Sequence, residues 1–426
     1  MGKEPEDYDI VTDASPEQVR QLFKRTVPVG AQFGIVMVML GEKKYEVAQF
    51  RGATCPALRK VSGTLESAGH LLREDALHRD FTINGMFYDP FTDKLIDYVG
   101  GQRDIQHRLI RGIGDPQARL EEDKLRMMRA IRFVIAFDYR IEPGTFDAMR
   151  RLAPHITEVS AERIRDELLR ILTAPHPDQG VRLLDETGLL QPILPEVVLM
   201  KGVQQPLEFH PEGDGWTHTL LMLQQMSEQP RLPEGHRVFE KSKGITPELA
   251  MAILLHDVGK PATATQTDRI RFHDHAQVGA EIAERICLRL KFSTKATEKI
   301  VTLVKEHQKF FDAERMRKST LKRFLRQEHI HDLLELHRLD CLSRNGDLRT
   351  YEFCQTTLTE FHRESIRPPR LISGDDLIRL GFPPGPVFKQ VLEYIEDAQL
   401  EGAVSTRTKA LELVKEFQET LTDNTK

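Results

Sequence analysis

The spacing of apolar residues changes near residue 103, and that change limits the fold more than any motif does. Before it, AQFGIVMVML and KKYEVAQFR flank Gly41-Glu42, the pattern of two strands joined by a tight hairpin. Alternation puts Tyr45, Val47 and Gln49 on one face and Glu46, Ala48 and Phe50 on the other. GMFYDPFTDKLIDYVGG reads as a second hairpin, turning at Asp89-Pro90. Ser15-Pro16-Glu17 offers a hydroxyl cap, a first-turn proline and an acid, which predicts a helix to about Lys24. Residues 52–72 carry Gly, Ser, Pro and Thr without a period and read as a loop. After residue 103 strands essentially disappear. RLEEDKLRMMRAIRFVIAF predicts one amphipathic helix with Leu125, Met128, Ile131 and Ile135 in its apolar rows, and further helices fill 145–190.

A chain of 426 residues is too long for one core. The expected divisions are a head at 1–112, a helical neck at 113–205, a third region at 206–364 and a helical tail at 365–426. HPEGDGWTHT reads as the linker into the third region, and the proline-rich SIRPPRLISGDD marks the last boundary. The fold class is therefore α+β, a small head with a mixed sheet on an elongated all-α body.

Composition narrows the chemistry. A formal net charge of -5 rules out a wholesale polycation, so nucleic-acid contact has to come from local basic faces. The strongest basic run is RMRKSTLKRFLR, which would either track an RNA backbone or be a solvated helix face. Cys55, Cys287, Cys341 and Cys354 form no CxxC pair, which points away from disulfide frameworks and zinc knuckles and towards a reduced, cytoplasmic setting. No apolar run approaches eighteen residues, so no membrane span is expected.

Two groups of residues carry chemistry. In EDYDIV, Asp7 and Asp9 sit two apart at the start of a strand and share a face. Such acids repel unless a cation lies between them, and carboxylate-held metal pairs perform nucleotidyl transfer. Glu46 is a third acid in mid-strand, Arg79, Asp80 and Asn84 cluster in LHRDFTINGM, and Asp123, Arg126, Arg129 and Arg132 recur at three-residue steps. The second group centres on His256-Asp257 in AMAILLHDVGKPAT, with His218, His273, His275, His307 and Asp340 elsewhere in the helical body. Imidazole with carboxylate suits a divalent transition metal better than magnesium.

EDYDIVTDASPEQV, YEVAQFR, HRDFTINGMFYDP, DPQARLEEDKLRMMRAIRF and SAERIRDEL, in that order, resemble the class II tRNA nucleotidyltransferase and bacterial poly(A) polymerase family. The resemblance implies a polymerase β-like head, truncated here relative to the family pattern because the first strand and a GGxVRD turn are missing. It implies that Asp7 and Asp9 bind two magnesium ions and that Glu46 completes the catalytic acids. Arg79 and Asp80 would meet the ribose and phosphates of the nucleotide, with Asn84 in support. Asp123 and Arg126 would read the base, and Arg129 and Arg132 would hold the triphosphate or RNA backbone. The histidine-rich region resembles an HD-type metal domain, in which His218, His256, Asp257 and Asp340 would bind one ion and His273, His275 and His307 a second. The implied activity is template-independent addition of C and A from CTP and ATP to the 3′ end of tRNA or another RNA, with no DNA and no membrane as partner. The rivals are a poly(A) polymerase and, from another class, an HD phosphohydrolase whose inactive head binds RNA.

Overall fold

A computed structural model describes residues 8–28, 34–49, 65–206, 208, 211–228, 245–266, 270–363, 369–382 and 385–423. Asp7 and Cys55 lie outside them. The chain divides into two compact units, residues 1–167 with 183–193, and residues 168–182 with 194–426.

The first unit begins with a four-stranded sheet in the order β1-β4-β3-β2, made of β1 (Asp9–Thr12), β2 (Thr26–Pro28), β3 (Ile35–Leu40) and β4 (Lys43–Gln49). Strand β1 runs parallel to β4 and the other pairs are antiparallel, so the sheet is mixed. Helix α1 (Pro16–Leu22) starts at Ser15, which accepts from Gln18 N while the Gln18 side chain reaches back to Ser15 N, a reciprocal cap that satisfies two otherwise orphaned amides. Val19 of α1 closes against Val36, Val38 and Val47. That apolar layer covers one face of the sheet and leaves the other, which carries Asp9 and Glu46, uncovered by α1.

Helix α2 (Leu65–Leu77) occupies ground where a loop was expected. LESAGHLLREDAL is rich in good helix formers, and its Ser and Gly mimic loop punctuation. The hairpin of β5 (Met86–Asp89) and β6 (Lys94–Asp97) pairs Asp89 with Lys94, as the turn at Asp89-Pro90 requires. Helix α3 (Gly101–His107) follows.

The expected single helix over 119–137 is two helices, α4 (Pro116–Glu122) and α5 (Arg126–Phe137). Asp123 leaves the helix with φ −150° and ψ 101°, and its carboxylate accepts from Leu125 N at 3.2 Å. An Asp side chain bonding the backbone two residues on competes with helical geometry, and no apolar periodicity reports it. Strands also persist beyond residue 103, as the short pairs Leu109–Ile110 with Arg140–Ile141 and Ala264–Gln266 with Ile270–Phe272.

The second unit is built almost wholly of helices. Helix Pro247–Leu255 is buried at every position from Leu249 onward, the mark of a central core helix. Thr246 caps its start, and His256 follows its last residue as the C-cap. A Cβ on Gly259 would stand 2.1 Å from His275 O and 2.6 Å from Gly279 N. The backbone of helix His275–Arg289 therefore crosses close to the HDVGK turn, and only glycine fits between.

The tail has a core of its own, formed by Ile372, Leu377, Phe382, Val391, Ile395, Val404, Ala410 and Val414. Its helix Pro386–Glu401 packs on helix Lys318–Leu325. Arg323 pairs with Glu396 at 3.0 Å and Asp397 at 3.2 Å, Arg326 pairs with Glu396 at 2.7 Å, and Lys322 Nζ donates to Leu400 O at 3.2 Å. The C-terminal part of the basic run thus pairs with the tail.

Candidate functional site

In the head, the parallel pairing of β1 and β4 sets Asp9 directly beside Glu46. Residues in register on neighbouring strands point to the same side of the sheet. Glu46 points away from Val47 and hence away from the face that α1 covers. Both acids are exposed. Both carboxylates are open to solvent on a face they share with Val11, Ile35, Met37 and Met39, and exposed carboxylate oxygens suit hard divalent cations.

Asp80 anchors the next group. Its carboxylate accepts from Phe81 N at 2.9 Å, Asn84 Nδ2 at 3.1 Å and Arg129 Nε at 2.8 Å. Burial pushes this carboxyl up, but Arg129 and the donated hydrogen bonds outweigh it and hold it below the ordinary range. Arg79 bonds Asp75 at 3.0 Å and Asn84 O at 3.2 Å, and its guanidinium lies over the Phe87 ring. The cluster unites Arg79, Asp80, Asn84 and Arg129 across the chain.

Arg126 N donates to Asp123 O at 3.0 Å, but the side chains of Asp123 and Arg126 have other partners. Asp123 accepts from Arg163 at 2.7 Å, and Arg126 bonds Glu122 at 2.7 Å and His78 O at 3.3 Å. Arg132 bonds Glu167 and lies over the Phe133 ring at 4.4 Å. Arg163 and Glu167 were not singled out from the sequence as site residues, although both lie in the SAERIRDEL stretch.

The second unit gathers two sets of possible metal ligands, His218 with His256 and Asp340, and Asp257 with His275 and His307. All six residues are at most 4% exposed, and within each set the donor atoms lie within 4.8 Å of one another. Asp257 thus falls in the second set, and His273 is exposed and joins neither. His256 Nε2 is 3.1 Å from Asp257 Oδ2, while Asp257 Oδ1 faces His275 Nε2 at 3.4 Å and His307 Nε2 at 3.9 Å. Adjacent residues can converge in this way because the helix ends at Leu255 and the HDVGK turn follows.

Two cations border the centre. Lys260 Nζ is 2.6 Å from Asp257 Oδ2, and Arg344 Nε is 2.7 Å from Asp340 Oδ1. Burial would push both carboxyls up, yet His256 and Lys260 hold Asp257, and Arg344 and His218 hold Asp340, well below the ordinary range. Burial, with His256 beside it, drives the His307 pKa down to about 3, leaving the neutral ring that binds metals. His256 Nε2, His275 Nε2, His307 Nε2 and Asp257 Oδ1 are buried without a properly oriented hydrogen bond. Orphaned buried acceptors are costly unless something electropositive meets them, so this donor set fits divalent cations.

Comparison with known proteins agrees with both regions. Residues 1–111 match the model described as "Poly A polymerase head domain", residues 138–200 the "Probable RNA and SrmB- binding site of polymerase A", and residues 216–344 the "HD domain". The A-adding tRNA nucleotidyltransferase of Deinococcus radiodurans is 32% identical over 82% of this chain and 80% of its own length. The CC-adding tRNA nucleotidyltransferase of Thermus thermophilus is 28% identical over 96% and 89%. Escherichia coli poly(A) polymerase I is 32% identical over 61% of this chain, which spans only 60% of that relative. The CCA-adding enzyme of Bacillus stearothermophilus, solved in complex with CTP, has the same fold, with a TM-score of 0.68 over 98% of this chain and 91% of the other at 22% identity. No helix among the described residues is long and apolar enough to cross a membrane. With the head and HD regions matched in its own sequence, and a curated relative 32% identical over 82% of its length, the chain belongs to the tRNA nucleotidyltransferase and poly(A) polymerase family.

Proposed function

We propose that this protein performs template-independent nucleotidyl transfer from CTP and ATP to the 3′ end of tRNA, completing or repairing a CCA terminus. The observation that carries the reading is Asp9 in register beside Glu46 on the sheet face that α1 leaves open. The RNA 3′-oxygen attacks the α-phosphorus, the bond to the β-phosphate oxygen breaks and pyrophosphate leaves, while the hydroxyl proton passes to Asp9 or to water. Magnesium ions held by Asp7, Asp9 and Glu46 would acidify the attacking hydroxyl and neutralise charge on the leaving pyrophosphate. Arg129, steadied by Asp80, and Arg79 supply positive charge for the nucleotide. Arg132, bonded to Glu167, would add to that charge.

Base choice needs no template. Adenine and cytosine both present an amine beside a ring-nitrogen acceptor, which a carboxylate and a guanidinium match; guanine and uracil would set like against like. Asp123 and Arg126 have these groups, and each would exchange its present partner, Arg163 or Glu122, for the base.

Incubating the protein with tRNA lacking its CCA end and each nucleotide tests the reading. Extension by one to three nucleotides supports it. A long ladder with ATP alone would reassign the chain as a poly(A) polymerase, and no incorporation would remove the activity.

The six buried ligands favour a second activity in the same chain, metal-dependent phosphoester hydrolysis at the HD centre with a divalent transition metal. Phosphatase activity that needs Mn2+ or Co2+ and disappears in His256→Ala is the expected result. Equal activity in that variant would refute it.

A further inference from the structure

The stretch before helix Gly215–Ser227, which reads as a linker, is built into the metal centre. Gly202 N donates to Asp214 Oδ2 at 2.6 Å, Gly215 N donates to Val203 O at 3.3 Å, and Asp214 Oδ1 accepts from Thr217 N at 2.9 Å. These bonds bring the two ends of the 202–214 segment together and pin it to the helix start. Two of its polar side chains turn inward. Gln205, 4% exposed, accepts from Lys260 Nζ, and Lys260 in turn meets Asp257. Glu212, with a side chain 6% exposed, places Oε1 2.7 Å from His218 Nδ1.

The four histidines of the two ligand sets show why that second contact matters. Nδ1 of His256 is 2.8 Å from Ile253 O, that of His275 is 2.9 Å from Phe272 O, and that of His307 is 2.6 Å from Val304 O. A carbonyl only accepts, so each Nδ1 is the donor, and in the neutral ring that leaves the lone pair on Nε2. In every case the carbonyl lies three residues earlier; His256 and His307 follow the last residue of a helix, and His275 opens one. His218 stands inside a helix, where the carbonyl three residues earlier, that of Gly215, already accepts from Thr219 Oγ1 at 2.8 Å. Its Nδ1 meets a carboxylate instead, while its Nε2 lies 3.0 Å from Asp340 Oδ1.

We propose that Glu212 is a positioning residue of the metal centre, holding the His218 ring so that Nδ1 bears the proton and Nε2 faces the ion shared with His256 and Asp340. A carboxylate partner also makes the imidazole a stronger donor than a carbonyl partner does. The proposal rests on the metal reading of the HD centre and concerns a residue outside both ligand sets.

The test is titration of the full-length metal-free protein with Co2+, followed by its visible ligand-field spectrum and by competition with a chromophoric chelator. Glu212→Ala is expected to weaken Co2+ binding by about 10- to 100-fold and to alter the spectrum. Glu212→Gln, which keeps an oxygen acceptor, restores the spectrum and most of the affinity, a rescue that a purely structural role would not produce at the ion. If Glu212→Ala does not fold, Glu212→Met fills the same space without an oxygen and replaces it. Wild-type affinity and spectrum in either the Ala or the Met variant would overturn the proposal. A folded wild type that binds no Co2+ would instead overturn the metal reading, and Glu212 would lose its role along with it.

Discussion

The two sites solve the problem of charge in opposite ways. Asp9 and Glu46 sit exposed on a sheet surface, where water screens their repulsion and folding pays little to bring them together. The clustered histidines and aspartates of the HD region are closed off from solvent, with His218, His256, Asp257, His307 and Asp340 at 0% exposure. There each donor needs a counter-charge or an ion, and Lys260 and Arg344 supply part of it. An open site can admit a large substrate between its acids. A buried one is tied to the stability of its unit.

That contrast can be broken by mutation. Asp9→Ala with Glu46→Ala should cut nucleotide incorporation at least about a thousandfold, about 4 kcal/mol of barrier, with the melting temperature unchanged. A clear loss of stability would mean that the head acids are structural too. Gly259→Ala should do the reverse, destabilising the second unit by about 3 kcal/mol, the upper end for overpacking, because the new Cβ meets the His275 backbone. Denaturant melts combined with Co2+ binding would register both the lost stability and the lost metal affinity, while head incorporation persists under conditions where the chain remains folded.

Asp80 tests whether the head has a buried element of its own. Its pKa is lowered on folding, so its contribution is fully present above the unfolded value of 3.8 and fades as pH falls through the lower folded value. Asp80→Asn should cost about 2 kcal/mol at neutral pH, and the gap to wild type should narrow in melts run below pH 3.8. A gap independent of pH would assign the loss to packing alone. The smallest effect is expected at the tail, where Arg323→Ala with Arg326→Ala removes part-exposed ion pairs worth about 1 kcal/mol. tRNA affinity should not change in that variant; a large drop would return those arginines to the RNA.

Much of this was readable in one dimension. Both hairpins of the head, the Ser15 cap and the Asp9-Glu46 acids lie in local patterns whose periods are short. The HD donors were visible by residue type alone. Their grouping was not, because Asp257 and His256 part company only where a helix ends, and His273 is separated from His275 by which way each ring faces. The break at Asp123 was hidden inside an unbroken apolar rhythm, and α2 was hidden by its serine and glycine.

Sequence alone determined which reactive groups are present: an acidic pair entering a strand, an Asp and arginines at three-residue steps, and imidazoles in the helical body. Local spacing also determined most of the helices and strands, since those periods are properties of neighbouring residues. Only the tertiary structure decided which donor atoms lie together, that Glu212 brings a buried carboxylate to His218, and that the C-terminal part of the basic run pairs with the tail. These depend on contacts between residues 6 to 122 positions apart, whose energies come from burial and charge that no single stretch of chain contains.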